Sequence, residues 1–340
     1  VRILYLSPGH PVHDARFIEA IAAAGHQPMV PAVCPHEIGE VQRLLSEARP
    51  DVVHAGPIGT LAWLAARAGA RPLVSVSWGF DLLGDTRDSE EDRVRWTLSR
   101  TDTLLVDCHA AAQVAASLGM AADRIFEIPW GVDLERFRQG QDRLASRKRY
   151  GWDGKIVVLS ARAHEPKYGA ETVVEGFCLA AVSQPDLYLV VLGQGSLTGR
   201  LVARVRESGS AASVAFLGEV DNRKVADYLR AADIYVSASR VDGSSVTLLE
   251  AMATGLPAVV TDIPGNREWV EPGVTGLLFP VDDAPALGRA ILQVAGDASL
   301  RQAMGARART IVEERANWRE NRAILDTLYR AAVRAAASPS

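Results

Sequence analysis

Short apolar, β-branched runs alternate with amphipathic segments along the first part of the chain. Arg2–Leu6, Pro28–Val33, Asp51–His54, Leu73–Val76, Thr103–Val106 and Ile125–Ile128 have the length and composition of buried strands. Helical periodicity falls between them, as in Ala15–Ala24, Ile58–Ala68 and Ala110–Leu118. Such alternation predicts a parallel sheet with helices on both faces. The pattern lapses in a charged, irregular stretch, Arg138–Gly154, and restarts with strands expected at Ile156–Ser160, Leu187–Leu192, Val214–Leu217, Ile234–Val236 and Ala258–Thr261. From Ala284 onward the periodicity is helical, closing with an amphipathic helix from about Asn317 to Ala335. The expected organisation is α/β with two Rossmann-like domains, 1–145 and 152–316, and a C-terminal helix and tail, 317–340, packing back toward the first domain. Ligands of open α/β sheets sit beyond the carboxyl ends of the strands, so two such domains facing across a cleft would line it with those loops.

A chain of 340 residues is too long for one core, in keeping with two domains. No apolar run is long enough to cross a bilayer, and Val1–Leu6 is too short for a signal peptide, so the cytoplasm is the expected compartment. Cys34, Cys108 and Cys178 are far apart, without metal-site or pairing spacing. A net charge of −4 argues against nucleic-acid partners, and no basic helix announces an anionic membrane. Of 37 basic residues only four are lysines, which gives weight to one that follows a strand.

The most informative segment is Arg240-Val-Asp-Gly-Ser-Ser-Val-Thr-Leu-Leu-Glu250-Ala-Met-Ala-Thr-Gly255-Leu-Pro257. Ser244 or Ser245 suits an N-cap, Gly255 a C-terminal cap and Pro257 a stop, bounding a short helix that is apolar on all sides and hence buried. Glu250 sits in its middle. A buried carboxylate needs a dedicated hydrogen-bond partner: a ribose diol would serve, and so would an arginine or a path to solvent. Gly243 lets an anion approach the N–H groups at Ser244–Thr247, and Asp242 could meet sugar hydroxyls there or cap a turn. Arg162 and Lys167 share a loop after an apolar strand, where they either neutralise a diphosphate or stand in solvent as ordinary surface cations. No Asp-x-Asp pair follows any strand, so no metal is expected. Gly193-Gln-Gly195-Ser-Leu-Thr-Gly199 imitates a dinucleotide fingerprint, but its last glycine is one position late and it opens the second strand unit, which argues against a dehydrogenase. Among the histidines, His26, His36, His54 and His109 suit structural roles, whereas His10, His13 and His164 suit substrate contact equally well.

Together these features resemble the family-four glycosyltransferases of the GT-B fold. The likeness rests on Arg162 with Lys167, Gly193-Gln-Gly195, Phe216-Leu-Gly218, Ala231-Ala-Asp233-Ile-Tyr-Val-Ser237, Asp242 to Glu250, Gly276-Leu-Leu-Phe with Asp282, and Ile128-Pro-Trp-Gly131-Val-Asp133. The resemblance implies a retaining, metal-independent transfer of a sugar from a nucleotide diphosphate donor, with a UDP-linked donor expected ahead of a GDP-linked one and no further cofactor. It places Arg162 and Lys167 on the diphosphate, Asp242 on the transferred sugar and Glu250 on the ribose. Gly9, Gly218, Gly243, Ser244, Ser245, Val246 and Thr247 would complete the donor site. His10, His13, Trp78 and Asp81 would meet the acceptor, a small soluble or lipid-linked hydroxyl compound. Three positions depart from the family pattern: Asp242 is a methylene shorter than the usual glutamate, Trp78 stands near a usual histidine, and Tyr168 splits the usual lysine–glycine pair. A GT-B epimerase and a non-catalytic sugar-nucleotide binder are the alternative readings.

Overall fold

The computed structural model describes residues 1–9, 11–84, 86–140 and 143–337. The chain divides into two compact units, Val1–Pro129 with Arg319–Ser340, and Trp130–Trp318. In the first unit β1 (Arg2–Leu6), β2 (Gln27–Met29), β3 (Val52–Ala55), β4 (Leu73–Val76), β5 (Thr103–Val106) and β6 (Ile125–Glu127) form one sheet in the order β2-β1-β3-β4-β5-β6. In the second, β7 (Ile156–Ala161), β8 (Leu187–Leu192), β9 (Val214–Gly218), β10 (Ile234–Ser237), β11 (Ala258–Thr261) and β12 (Gly276–Phe279) form another in the order β12-β11-β10-β7-β8-β9. Every ladder in both sheets is parallel. Helices cover both faces, which is why the central strands are apolar at consecutive positions: Val157, Val158 and Leu159 are all wholly buried.

Three sequence expectations need correction. Pro28–Val33 is strand only to Met29; β2 is an edge strand, and Val30 and Val33 are exposed. The strand Gly276–Phe279 escaped the sequence reading because glycine weakens a strand pattern, yet glycine is required there: a Cβ at Gly276 would lie 2.0 Å from the carbonyl oxygen of Ala258 on β11. Finally, the charged stretch Arg138–Gly154, expected to be irregular, contains helix Arg143–Tyr150, and the boundary between units falls earlier, after Pro129. That helix is rich in basic residues, but they are not merely solvated. Arg143 and Arg147, one turn apart, donate to the two carboxylate oxygens of Asp233 at 2.5 and 2.9 Å, and Asp233 also accepts the N–H of Val157 at the start of β7. Arg147 further donates to the carbonyls of Ala231 and Trp152. The charges thereby fasten the helix to the second unit.

The chain returns to the first unit through helix Ile324–Ala337. Its Tyr329 is fully buried and its hydroxyl meets Nδ1 of His54, at 2.9 Å, while the His54 ring stacks on Tyr5 at 4.7 Å. One turn earlier, Asp326 lies 3.0 Å from Nε2 of His26. Burial pushes the His54 imidazole down to about 3. The folded protein therefore holds His54 neutral, whereas the unfolded chain takes up a proton as pH falls below about 6.5, so stability drops through this window. Relative to His54→Phe, the wild-type protein should lose about 2 kcal/mol between pH 7 and pH 5 in urea unfolding. Parallel pH profiles for the two proteins would count against a neutral, buried imidazole.

Candidate functional site

In the second sheet the strand order reverses between β7 and β10, which are direct neighbours although two strands, β8 and β9, lie between them in sequence. Connections leave the carboxyl ends of these two strands toward opposite sides, and the gap that results is where open α/β sheets bind ligands. The loop after β7 carries Arg162 and Lys167. The segment after β10 carries Asp242, Gly243, Ser244 and Ser245 and opens helix Val246–Ala253. The topology thus brings together residues some eighty positions apart in sequence.

Arg162 is the centre of the arrangement. Its guanidinium donates to Oγ of Ser245 at 2.7 Å, to Oγ1 of Thr247 at 3.4 Å and to Oδ2 of Asp242 at 2.5 Å. Its Cζ lies 4.2 Å from the ring centroid of Tyr168, and Nζ of Lys167 lies 5.0 Å from the same centroid. Burial works against the charge on Arg162, but Asp242 and the neighbouring tyrosines outweigh it and raise its pKa. Burial pushes the Asp242 carboxyl up while the guanidinium pulls against it. Asp242, which the resemblance placed on the transferred sugar, is thus engaged with Arg162. Ser245 is the residue that precedes the helix, yet its hydroxyl is used by Arg162 and makes no capping bond to the first N–H groups of Val246–Ala253.

The loops are fixed by close backbone approaches. Gly169 has a φ of +59°, and a Cβ there would lie 2.1 Å from the carbonyl oxygen of Ala238, just past β10. Arg240 ties the same turn down: its N–H donates to the carbonyl of Lys167 at 2.9 Å, its guanidinium donates to the carbonyl of Pro166, and it pairs with Asp282 at 2.9 Å. On the other side, Trp269 Nε1 donates to Oγ of Ser244 at 3.1 Å, and Gly265 lets its backbone approach Gly243. The glycines of Gly193-Gln-Gly195 serve packing. A Cβ at Gly193 would meet the carbonyl oxygen of Arg162 at 2.4 Å, and one at Gly195 that of His164 at 2.6 Å. His164, nearly inaccessible to solvent and lowered in pKa by burial, bonds Oγ1 of Thr198 at 2.8 Å.

Glu250 is buried, with 4% of its surface exposed. It lines a pocket of about 340 Å³ with Arg162, Thr247, Gly193, Glu219 and Asn222. Asp242 and Ser245 reach that pocket through their bonds to Arg162, Lys167 and Ser244 are not among its lining residues, and Val246 opens the helix that supplies Thr247 and Glu250. Gly218, at a φ of +68°, ends β9 beside it and accepts the N–H of Gly193 at 2.7 Å. Sequence reading missed Glu219 and Asn222, whose only signal was their place just after a strand. It also missed Arg240 and Trp269, whose bracing depends on contacts no local pattern reveals.

The residues assigned to an acceptor lie in the first unit. Gly9, assigned to the donor, also belongs to the first unit, where it follows β1, exposed at a φ of +88°. His13 and Trp78 come together, their rings 6.1 Å apart. His10 lies outside the described residues. Asp81 has a different occupation from the one expected: it is buried, and its carboxylate accepts from the hydroxyl of Ser77 at 2.6 Å and from the N–H groups of Ile58 and Trp78 at 2.9 and 3.0 Å. Burial raises its pKa against these bonds. Its work is to hold the loop that presents Trp78.

Comparison with known proteins extends these observations. Residues 142–311 match the family model described as glycosyl transferases group 1, and residues 1–136 match glycosyltransferase family 4. A GDP-mannose-dependent monoacylated alpha-(1-6)-phosphatidylinositol monomannoside mannosyltransferase of Corynebacterium glutamicum is 26% identical over 279 residues, spanning 78% of this chain and 71% of its own. A D-inositol 3-phosphate glycosyltransferase of Jonesia denitrificans is 29% identical over 284 residues, or 76% of this chain and 66% of its own. Anabaena HepE, solved with UDP-glucose, has a TM-score of 0.83 at 18% identity, covering 97% of this chain and 99% of that one. Sucrose-phosphate synthase of Thermosynechococcus elongatus gives 0.81 at 20% identity, covering 97% and 98%. At these identities the two structures speak for the fold.

The glycine contacts make a paired prediction. Gly169→Ala should destabilise the second unit by roughly 2–4 kcal/mol, combining left-handed strain with a backbone overlap. Gly199→Ala, where nothing lies within 4 Å and the residue is helical, should be neutral or slightly stabilising. Chemical denaturation of both variants checks the contrast, and equal effects would remove the argument for the Gly169 approach.

Proposed function

The chain belongs to the glycosyl transferases group 1, enzymes of GT-B fold that transfer sugars, and we propose that it moves a sugar from a nucleoside diphosphate donor to an acceptor hydroxyl with retention and without a metal. The observation that carries this reading is the convergence of Arg162, Thr247 in the first turn of helix Val246–Ala253 and buried Glu250 on one pocket. The pocket's volume suits a nucleoside. A carboxylate can accept both hydroxyls of a ribose, and because Glu250 is buried, losing those bonds would be felt strongly. The diphosphate then falls beside Arg162 and the helix start, where backbone N–H groups and the helix dipole favour negative charge.

In this reading the positive side chains act most when the donor bond breaks. Charge grows on the departing diphosphate, and Arg162, Lys167 and the helix N-terminus meet it in place. The acceptor hydroxyl attacks from the face the diphosphate leaves, and its proton passes to a phosphate oxygen, so no protein base is needed. The base of the donor is where the relatives differ: GDP-mannose is named for the Corynebacterium enzyme, and UDP-glucose is bound in HepE. A UDP-linked donor remains the expectation from sequence, and calorimetry with both diphosphates decides it. The names of the two enzymes described above support an acceptor bearing an inositol-type polyol, free or lipid-linked.

The ribose assignment is tested with the nucleoside diphosphate that binds and its 2′-deoxy counterpart. Wild type should prefer the ribose form by about tenfold or more, and Glu250→Gln should reduce that preference to near parity. An unchanged preference would separate Glu250 from the ribose. Lys167→Ala should lower turnover by at least about a hundredfold with the fold intact, and near-normal turnover would remove Lys167 from the leaving group.

A further inference from the structure

Lys167 and Arg162 are both cations, and placing them at one site costs repulsion that must be offset before any diphosphate arrives. Asp242 offsets part of it through Arg162. Tyr168 does something different: its ring centroid lies 4.2 Å from Arg162 Cζ and 5.0 Å from Lys167 Nζ. An aromatic face attracts cations through its quadrupole without consuming their N–H donors. Arg162 illustrates the point, since its guanidinium keeps its hydrogen bonds to Ser245 and Asp242 while stacked on the ring.

The ring itself is held in place. Tyr168 ends the short turn Pro166–Tyr168, its N–H donates to the carbonyl of Glu165 at 3.0 Å, and Gly169 behind it is locked against Ala238. Arg240 anchors the carbonyls of Pro166 and Lys167. The long, exposed Lys167 side chain has rotamer freedom that a contact with the ring face restricts.

We propose that Tyr168 is a positioning residue, whose ring face gathers Arg162 and Lys167 into one cationic pair shaped to receive the donor diphosphate. The inference rests on the reading that these cations meet that diphosphate. It also gives a physical role to the residue that separates Lys167 from its glycine.

Calorimetry with UDP and GDP, and with uridine and guanosine as phosphate-free controls, tests it on the full chain. Tyr168→Leu should weaken whichever diphosphate binds by about tenfold, and Tyr168→Phe, which keeps the ring, should restore affinity to within about twofold of wild type. Binding of the nucleosides should not change in Tyr168→Leu, which a general collapse of the site would not allow. Lys167→Ala is the reference. If it weakens diphosphate binding and Tyr168→Leu does not, the positioning role is wrong while the diphosphate reading stands. Equal losses in the Phe and Leu variants would assign the effect to the hydroxyl and overturn the inference. No loss in Lys167→Ala would instead overturn the diphosphate reading of Lys167 itself.

Discussion

The guanidinium of Arg162 is the contact on which the arrangement beyond the second sheet's strand ends depends. It joins the carboxyl ends of two strands that are neighbours only because the sheet reverses direction there, and it does so by bonding Asp242, Ser245 and Thr247 at once. A buried cation is tolerable only when it is paired and hydrogen-bonded, and this one is so at both terminal nitrogens, with Nε left unbonded. The same bonds draw the start of helix Val246–Ala253 into register with the β7 loop. The helix start, the buried carboxylate and the paired cation are brought together by one adjacency.

That adjacency was readable in part. The alternation of strands and helices announces a parallel sheet, and the apolar helix around Glu250 announces burial, because both follow from local periodicity. The pairing of Arg162 with Asp242 was not readable, since it depends on strand order, which periodicity does not encode. Asp81 shows the same limit from the other direction: a carboxylate in a loop after a strand resembles a ligand contact until three donors are seen to occupy it. Helix Arg143–Tyr150 was obscured by its charges, whose partner, Asp233, lies some ninety positions away. Strand Gly276–Phe279 was obscured by the very glycine that makes its pairing with β11 sterically feasible.

Rigidity around the pocket comes from backbone packed on backbone. Gly169 against Ala238, Gly193 against Arg162 and Gly265 against Gly243 each leave no room for a Cβ. Interiors this close transmit displacement instead of absorbing it, so side chains on these loops keep their positions without a ligand to order them. Catalysis by electrostatic preorganisation requires that property, because donors that must first reorient lose part of what they contribute.

The seating of Tyr329 on His54 bears on how the protein is made. The first unit's strands all lie within Val1–Pro129, but the helix that packs on them follows the whole of the second unit in the chain. Domains usually fold in the order in which they leave the ribosome. Here the second unit, inserted between the two parts of the first, can finish first, while the sheet of the first keeps an apolar face uncovered until helix Ile324–Ala337 has been synthesised.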